Sequence, residues 1–292
     1  MDIETMKQLI KKYEPGHAAF VTRAAVAERY YRNETDILFR DKPKEEKEEA
    51  DNPLRNADNR IPRNFHGLIV NQKASYAFTA PPLFDVGSTT SNKRITEALG
   101  DEYAKNCMEL CINAANASIG WVHYWQGENG FEWAVVPSAQ IIPVFNRSLK
   151  RRLIGTMRVY PDIDENTGDN YTVYEYWTDT ECQAFRRRTG DALDLLTYYD
   201  MFAYPDSGDM AASYRHDFGE VPFIPFYNNN IHTDDLRNIN PLIDVYDKVY
   251  SGFINDLDDI QELIFVLSGY GGEDLNSFLS DLKKYKTIKV DG

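Results

Sequence analysis

The chain has 292 residues, of which 42% are hydrophobic and 13% aromatic. This composition is enough for a packed core and excludes disorder throughout. The formal net charge of −14 argues against a protein whose whole surface grips nucleic acid, because such binding needs Lys and Arg to displace counterions from phosphates.

The N-terminal sequence, MDIETMKQLIKKYEPG, lacks the basic-then-apolar order of a signal peptide. No run of about 18 apolar residues occurs further along the chain, so no membrane partner is expected. Cys107, Cys111 and Cys182 are too few for a disulfide framework and are predicted to be buried structural thiols. The sequence therefore predicts a soluble intracellular product.

Apolar periodicity predicts four helices before residue 118. They cover residues 2–13 with a stop at Pro15-Gly16, about 17–32, about 62–80, and roughly 91–117. Residues 40–60 lie between the second and third helices and are dense in charge, with two prolines and almost nothing to bury. This stretch is predicted to be a mobile loop.

The pattern then changes to alternating apolar and polar residues rich in Tyr, Trp and Val, which is typical of half-buried strands. Predicted strands cover residues 119–126, 131–137, 153–160, 171–178, 181–188 and 193–199. Glu128-Asn129-Gly130 marks a hairpin between the first two. Helices first, an antiparallel meander next and one long helix last predict an α+β fold.

No catalytic residue, metal site or cofactor is indicated. Asp162, Asp164 and Asn166 imitate the start of a calcium loop, but the positions that require Gly and Glu hold Thr167 and Val173. A hairpin turn is the better interpretation. The five histidines are scattered and form no metal-binding or catalytic pair.

Two basic clusters stand out on this acidic chain. The first comprises Arg147, Lys150, Arg151 and Arg152, and the second residues 186–188. Two interpretations stay open for them: solvated strand ends, or a contact surface for an acidic neighbour such as another copy of the chain.

The long predicted helix starts at about residue 239 and ends at the glycines after residue 268. It would span on the order of 40 Å. Its apolar positions fall at spacings of three and four and are candidates for packing between subunits: Tyr246, Val249, Tyr250, Phe253, Leu257, Ile260 and Ile264. Acidic residues take other faces of the helix: Asp244, Asp247, Asp258, Asp259 and Glu262.

Four stretches resemble the portal proteins of siphophage-type tailed bacteriophages. They are YYRNETDIL (30–38), NADNRIPRNFHGLIVNQKASYAFTAPP (56–82), GEVPFIPFYNN (219–229) and INPLIDVYDKVYSGFINDLDDIQELIFVLSGYGG (239–272). Asn33 and Thr79 stand where the family usually has Gly. The resemblance covers nearly the whole chain.

The resemblance implies a structural, non-enzymatic subunit of a ring, normally of twelve copies, at one capsid vertex of the virion, assembled in the bacterial host cytoplasm. Its implied partners are the terminase large subunit, capsid or scaffold proteins, a head–tail adaptor, and double-stranded DNA that passes without specific binding. It divides the chain into a wing (1–238), a stem helix (239–268) and the start of a clip (269–292). Because family members continue further, a C-terminally truncated chain is expected.

From this resemblance we expect some of the acidic residues of the long helix to face a DNA tunnel and its apolar stripe to pack on neighbouring subunits, with the face that points inward left open. A weakly binding acidic wall would let DNA slide, since phosphate contacts hold DNA tightly. Two alternatives are a self-associating scaffold or adaptor protein, and a hydrolase that uses two carboxylates.

Overall fold

The computed structural model describes residues 1–40, 57–80, 83–127, 130–204 and 208–261. These residues form a mixed helical and antiparallel-sheet protein, which confirms the predicted α+β class. The fold separates into two compact units. One comprises Met1–Glu28 with Leu68–Arg237, and the other Arg29–Gly67 with the residues after Asn238.

Five α-helices are present in the described residues. They are α1 (Ile3–Tyr31), α2 (Phe65–Ala77), α3 (Thr89–Leu99), α4 (Tyr103–Ala117) and α5 (Asn240–Gln261). No helix in this part of the chain combines the length and apolar character needed to cross a bilayer. Of the predicted mobile loop, residues 41–56 lie outside the described residues, whereas residues 57–60 are held by hydrogen bonds to α5.

The expected break at Pro15 is wrong, because α1 continues through it. A proline inside a helix loses one backbone hydrogen bond and clashes with the preceding turn. The helix nevertheless buries side chains on both sides of that position, among them Met6 and Ile10 before it and Ala27 and Tyr30 after it. Their burial offsets the local cost.

The single helix expected over residues 91–117 is also wrong. Gly100 has a φ of 77° and donates its N–H to the carbonyl of Thr96, which ends α3. Glycine adopts such a conformation at no steric cost and is the usual residue at a helix C-terminus. A short turn then leads into α4.

The strands form two principal antiparallel sheets rather than one meander. The first has the order β11-β1-β2, with β1 (Ile119–Gly127), β2 (Gly130–Val136) and β11 (Phe223–Tyr227). Gly127 pairs with Gly130, so the predicted hairpin is confirmed, although its two loop residues lie outside the described part. The stretch at 219–230 thus supplies a strand that pairs with β1 across about a hundred residues.

The second sheet has the order β10-β6-β5-β4-β3, and β7 also pairs with β6. Its strands are β3 (Ile141–Phe145), β4 (Leu153–Ile163), β5 (Asn170–Trp177), β6 (Glu181–Arg188), β7 (Thr197–Tyr198) and β10 (Ser213–Arg215). A separate pair consists of β8 (Phe202–Ala203) and β9 (Met210–Ala211). The alternating pattern did not predict β3, whose central residue is Pro143 at the sheet edge.

The turn at residues 164–169 joins β4 to β5, as the hairpin interpretation predicted. The Asp164 side chain accepts the N–H groups of Asn166 and Thr167 at 3.0 and 3.3 Å. These bonds are those of an Asx-type turn. Among the described residues, no group of three or more His, Cys, Asp or Glu side chains is placed to hold a metal ion.

Two apolar clusters form the core of the first unit. One joins Met6 and Ile10 of α1 to the second sheet, including Met157, Tyr174 and Phe185. The other lies between the two sheets, around Trp121, Trp177 and Phe223. Cys107 and Cys182 are buried as predicted, and Cys111 is half-buried. Burial raises the pKa of the Cys182 thiol well above its usual value.

Candidate functional site: the two faces of helix α5

One face of α5 carries polar side chains four residues apart, at Asp247, Ser251, Asn255 and Asp259. Residues at this spacing lie above one another on a helix surface. Each accepts a hydrogen bond from a backbone N–H of residues 57–63. The N···O distances are 3.0 Å for Arg63 to Asp247, 3.0 Å for Ile61 to Ser251, 2.6 Å for Asn59 to Asn255, and 3.2 Å for Ala57 to Asp259.

We call this arrangement the α5 ladder. Its geometry follows from two repeats that nearly coincide. Four helical residues rise about 6 Å, and two extended residues advance about 6.6 Å. Alternate N–H groups of an extended segment point to the same side, so residues 57, 59, 61 and 63 face the helix together. Ala57 pairs with Asp259 near the end of α5, whereas Arg63 pairs with Asp247 nearer its start, so the segment runs antiparallel to the helix.

Pro62 lies between two donors of the ladder. Proline has no backbone N–H. Because the donors of the ladder are residues 57, 59, 61 and 63, Pro62 does not interrupt it. One side chain of the segment adds to the backbone contacts: the Asn59 amide donates to Asp258 at 2.7 Å.

Two further donors bind the first acidic residues of α5. The Thr35 hydroxyl donates to the second carboxylate oxygen of Asp247 at 2.5 Å. The Tyr30 hydroxyl donates to Asp244. Burial raises the pKa of Asp247, although the bonds from Thr35 and Arg63 act in the opposite direction. Burial and the bond to Asp244 raise the pKa of Tyr30.

Asn33 lies in the turn that brings residues 34–38 to α5. Its φ is 65°, which is the left-handed region. Asn is the non-glycine residue that most readily adopts this conformation, along with Asp. Asn33 therefore preserves the turn, although the family usually has Gly at this position.

The opposite face of α5 is apolar and exposed. We call it the apolar stripe, and it comprises Leu242, Val245, Tyr246, Val249, Phe253 and Leu257. Val249 exposes 65% of its surface and Phe253 59%. A row of exposed apolar side chains on one helix face is typical of a surface that another protein covers.

Tyr246, which is part of this stripe, contacts Phe65, and Tyr250 contacts Arg63. The Arg63 guanidinium lies 4.3 Å from the ring centroid of Tyr250, and Phe65 meets Tyr246 edge-to-face at 5.0 Å. Tyr246 and Tyr250 stack nearly parallel, with centroids 6.1 Å apart.

The acidic residues predicted to face a tunnel are thus engaged within their own chain. Asp244, Asp247, Asp258 and Asp259 all accept hydrogen bonds from residues 30–63. Asp247 has no exposed surface. Glu262 and Ile264 lie outside the described residues, as does the side chain of Ile260.

The two basic clusters differ in the structure. Arg186, Arg187 and Arg188 on β6 form ion pairs with Asp164, Glu14 and Asp169 respectively. In contrast, the cluster between β3 and β4 is exposed and forms no ion pair within the described residues: Arg147, Lys150, Arg151 and Arg152. The cluster between β3 and β4 is therefore the better candidate for contact with a partner.

An exposed apolar stripe on a long helix is typical of proteins that associate with other subunits. The chain matches the family model described as "Phage portal protein, SPP1 Gp6-like" over residues 10–292. It is 36% identical to the portal protein of Clostridium phage phiCD119, in an alignment of all of this chain with 64% of that protein. It is 28% identical to the portal protein of Bacillus phage SPP1, over 80% of this chain and 46% of that protein.

The chain therefore belongs to the SPP1-type phage portal protein family. This confirms the resemblance and favours the portal interpretation over a scaffold protein or a hydrolase, since the family is one of structural proteins. The chain spans 64% of the first of these two relatives and 46% of the second.

Proposed function

We propose that the chain is a subunit of a ring, normally of twelve copies, that forms the DNA conduit at the capsid vertex. Family membership over residues 10–292 is the observation that supports this function. The ring would serve in genome packaging, ejection and head–tail connection. Its partners would be the terminase large subunit, capsid or scaffold proteins, a head–tail adaptor and passing double-stranded DNA.

In this proposal α5 is part of the stem, and its two faces have different tasks. The polar face holds the chain's own segment through the α5 ladder, so it is already occupied. The apolar stripe is exposed and would pack on neighbouring subunits, because burying it there removes apolar surface from water.

We propose that an acidic tunnel wall would be formed by those acidic residues of α5 that keep exposed surface. Asp258 is exposed, while Asp244 and Asp259 are half-buried. Asp256 is also exposed and lies away from the ladder, although the sequence interpretation omitted it. An acidic wall would repel phosphates and so avoid the tight, salt-dependent binding that cationic contacts produce.

Native mass spectrometry of the longest natural form of the protein tests the ring, with a species of about twelve copies expected. The matched variants are Val249→Asp on the apolar stripe and Val86→Asp, whose valine is similarly exposed elsewhere on the chain. We expect Val249→Asp to remove the ring and Val86→Asp to preserve it. Small symmetric oligomers in place of a ring would favour a scaffold function.

We also propose that the exposed basic cluster between β3 and β4 contacts neighbouring portal or capsid subunits. Arg151→Glu with Arg152→Glu reverses two of its four charges and should reduce ring or procapsid assembly. Arg186→Glu tests charge reversal at a residue that is paired within its own chain. Unchanged assembly in the first variant would refute this contact.

A further inference from the structure

The loop between β3 and β4, residues 146–152, is an ordered projection. The Asn146 N–H donates to the carbonyl of Arg152 at 3.0 Å, and the Arg152 N–H donates to the Asn146 side chain at 3.0 Å. The Ser148 hydroxyl donates to the carbonyl of Lys150 at 2.7 Å. These bonds fix the loop and present the residue at its tip, Leu149.

Leu149 has a relative exposure of 109%, so its side chain makes no appreciable contact with its own chain. Four exposed cations surround it: Arg147, Lys150, Arg151 and Arg152. Arg151 lies over the Phe145 ring, 4.3 Å from its centroid, and none of the four forms an ion pair within the described residues. A leucine held in water at the end of a fixed loop is suited to insertion into an apolar pocket.

The same compact unit contains a pocket of about 320 Å³. Its lining comes from α1, β1, β3, the end of β11 and residues 118 and 232, and includes Tyr13, Gly16, His17, Phe20, Pro143 and Tyr227. The His17 Nε2–H donates to the carbonyl of Ala139 at 2.7 Å, and burial lowers the pKa of this histidine. Burial thus favours the neutral form of His17, and the mostly apolar lining is suited to an aliphatic side chain.

We propose that Leu149 of one copy inserts into this pocket of the next copy, with the surrounding cations on the acidic surface beside it. The inference rests on the proposed ring. A closed ring of identical subunits needs two different, complementary patches on each chain, and the loop tip and the pocket are such a pair.

The charges favour a second copy as the partner. The chain carries −14 in total, and the loop tip contributes +4, so the rest of each chain carries −18. Glu14, on α1 beside Tyr13 and Gly16, keeps 44% of its side chain exposed, although it also pairs with Arg187. The attraction of the cationic tip to a second copy therefore rests mainly on the net negative charge of the rest of the chain. The same −18 opposes the close approach of DNA to the rest of the chain.

Cross-linking between two single variants tests the contact. Leu149→Cys is mixed with Gly16→Cys, where an added side chain meets no atom within 4 Å. Only a contact between copies can join the two new thiols, and each variant alone controls for the native cysteines. We expect a disulfide-linked dimer in the mixture. Leu83→Cys, at an equally exposed leucine, should give none with Gly16→Cys.

A second measurement compares Leu149→Asp with Leu83→Asp by analytical ultracentrifugation. We expect at least a tenfold weaker self-association for Leu149→Asp and no change for Leu83→Asp.

If the cross-link between Leu149→Cys and Gly16→Cys does not exceed the Leu83→Cys control, the inference is overturned. Loss of the ring in Val249→Asp would still support the proposed function. If Leu149→Asp and Arg151→Glu weaken binding to a double-stranded DNA probe but leave association unchanged, the loop is a DNA contact and the inference is likewise overturned.

Discussion

The carboxylate of Asp247 accepts the backbone N–H of Arg63 at 3.0 Å, although 184 residues separate them in the chain. This bond belongs to the α5 ladder, which joins two motifs that carry the family resemblance: the helix after residue 239 and the extended segment before α2. The polar residues of the helix motif are therefore required by the fold of the chain itself. The residues of the apolar stripe remain exposed.

The first prediction concerns the bonds made by Asp247. In Asp247→Ala, the buried hydroxyl of Thr35 and the N–H of Arg63 lose their acceptor, so we expect a loss of about 2–3 kcal/mol in the free energy of unfolding. Asp247→Asn should lose about 1 kcal/mol or less, since its oxygen can accept from Arg63 and its amide can donate to the Thr35 oxygen. Urea denaturation measures both. Equal losses in the two variants would contradict the proposed bonding.

The second prediction is a pH dependence. Burial raises the pKa of Asp247, so the folded chain binds this proton more tightly than the unfolded chain does. The resulting stability is present below the ordinary Asp value of about 4 and is lost as pH rises through the raised pKa. The stability of the wild type relative to Asp247→Asn should therefore fall as pH rises. Paired urea titrations over this range check the sign, and a constant difference would show that the pKa is not raised.

The third prediction tests the register of the ladder. Ser251→Ala removes the acceptor of the Ile61 N–H, so exchange of that amide with solvent should accelerate. The Arg63 N–H keeps its bond to Asp247 and should change less. Amide hydrogen exchange followed by NMR resolves the two sites. Equal acceleration at both would mean that the segment opens as one unit and that the bonds are not independent.

The sequence predicted the class of fold and most strands, because alternation and turn residues are local signals. It did not predict the α5 ladder, although Asp247, Ser251 and Asn255 recur at intervals of four. Polar residues on a helix normally face solvent, so the pattern predicted a solvent-exposed helix face. That face instead accepts hydrogen bonds from backbone N–H groups. Every residue except proline carries such a group, so the sequence does not show which segment will donate. The same limit explains β11, whose pairing with β1 is decided across a long separation.

The fourth prediction concerns a buried carboxylate in the second sheet. Glu175 exposes 3% of its surface and accepts hydrogen bonds from Tyr160 at 2.7 Å, Trp177 at 2.9 Å and Arg158 at 3.3 Å. Glu175→Ala leaves three donors without an acceptor and should cost about 3–5 kcal/mol, because removing one partner of a buried ion pair leaves the other uncompensated. Thermal and urea unfolding measure this loss. Glu165→Ala, in the turn between β4 and β5, serves as a control at an exposed carboxylate. A similar loss in both variants would show that the buried network is not the cause.

The fifth prediction follows from the uninterrupted course of α1. Pro15 lies inside this helix and cannot donate a hydrogen bond to the preceding turn. Pro15→Ala restores that bond and removes the ring's clash, so the free energy of unfolding should rise by up to about 3 kcal/mol. Gly16→Ala provides a scale for the gain from helix propensity alone, about 1 kcal/mol, since the added methyl group meets no atom within 4 Å. Calorimetry compares the two melting temperatures. A lower melting temperature in Pro15→Ala would mean that the restriction which proline places on the unfolded chain outweighs its cost within α1.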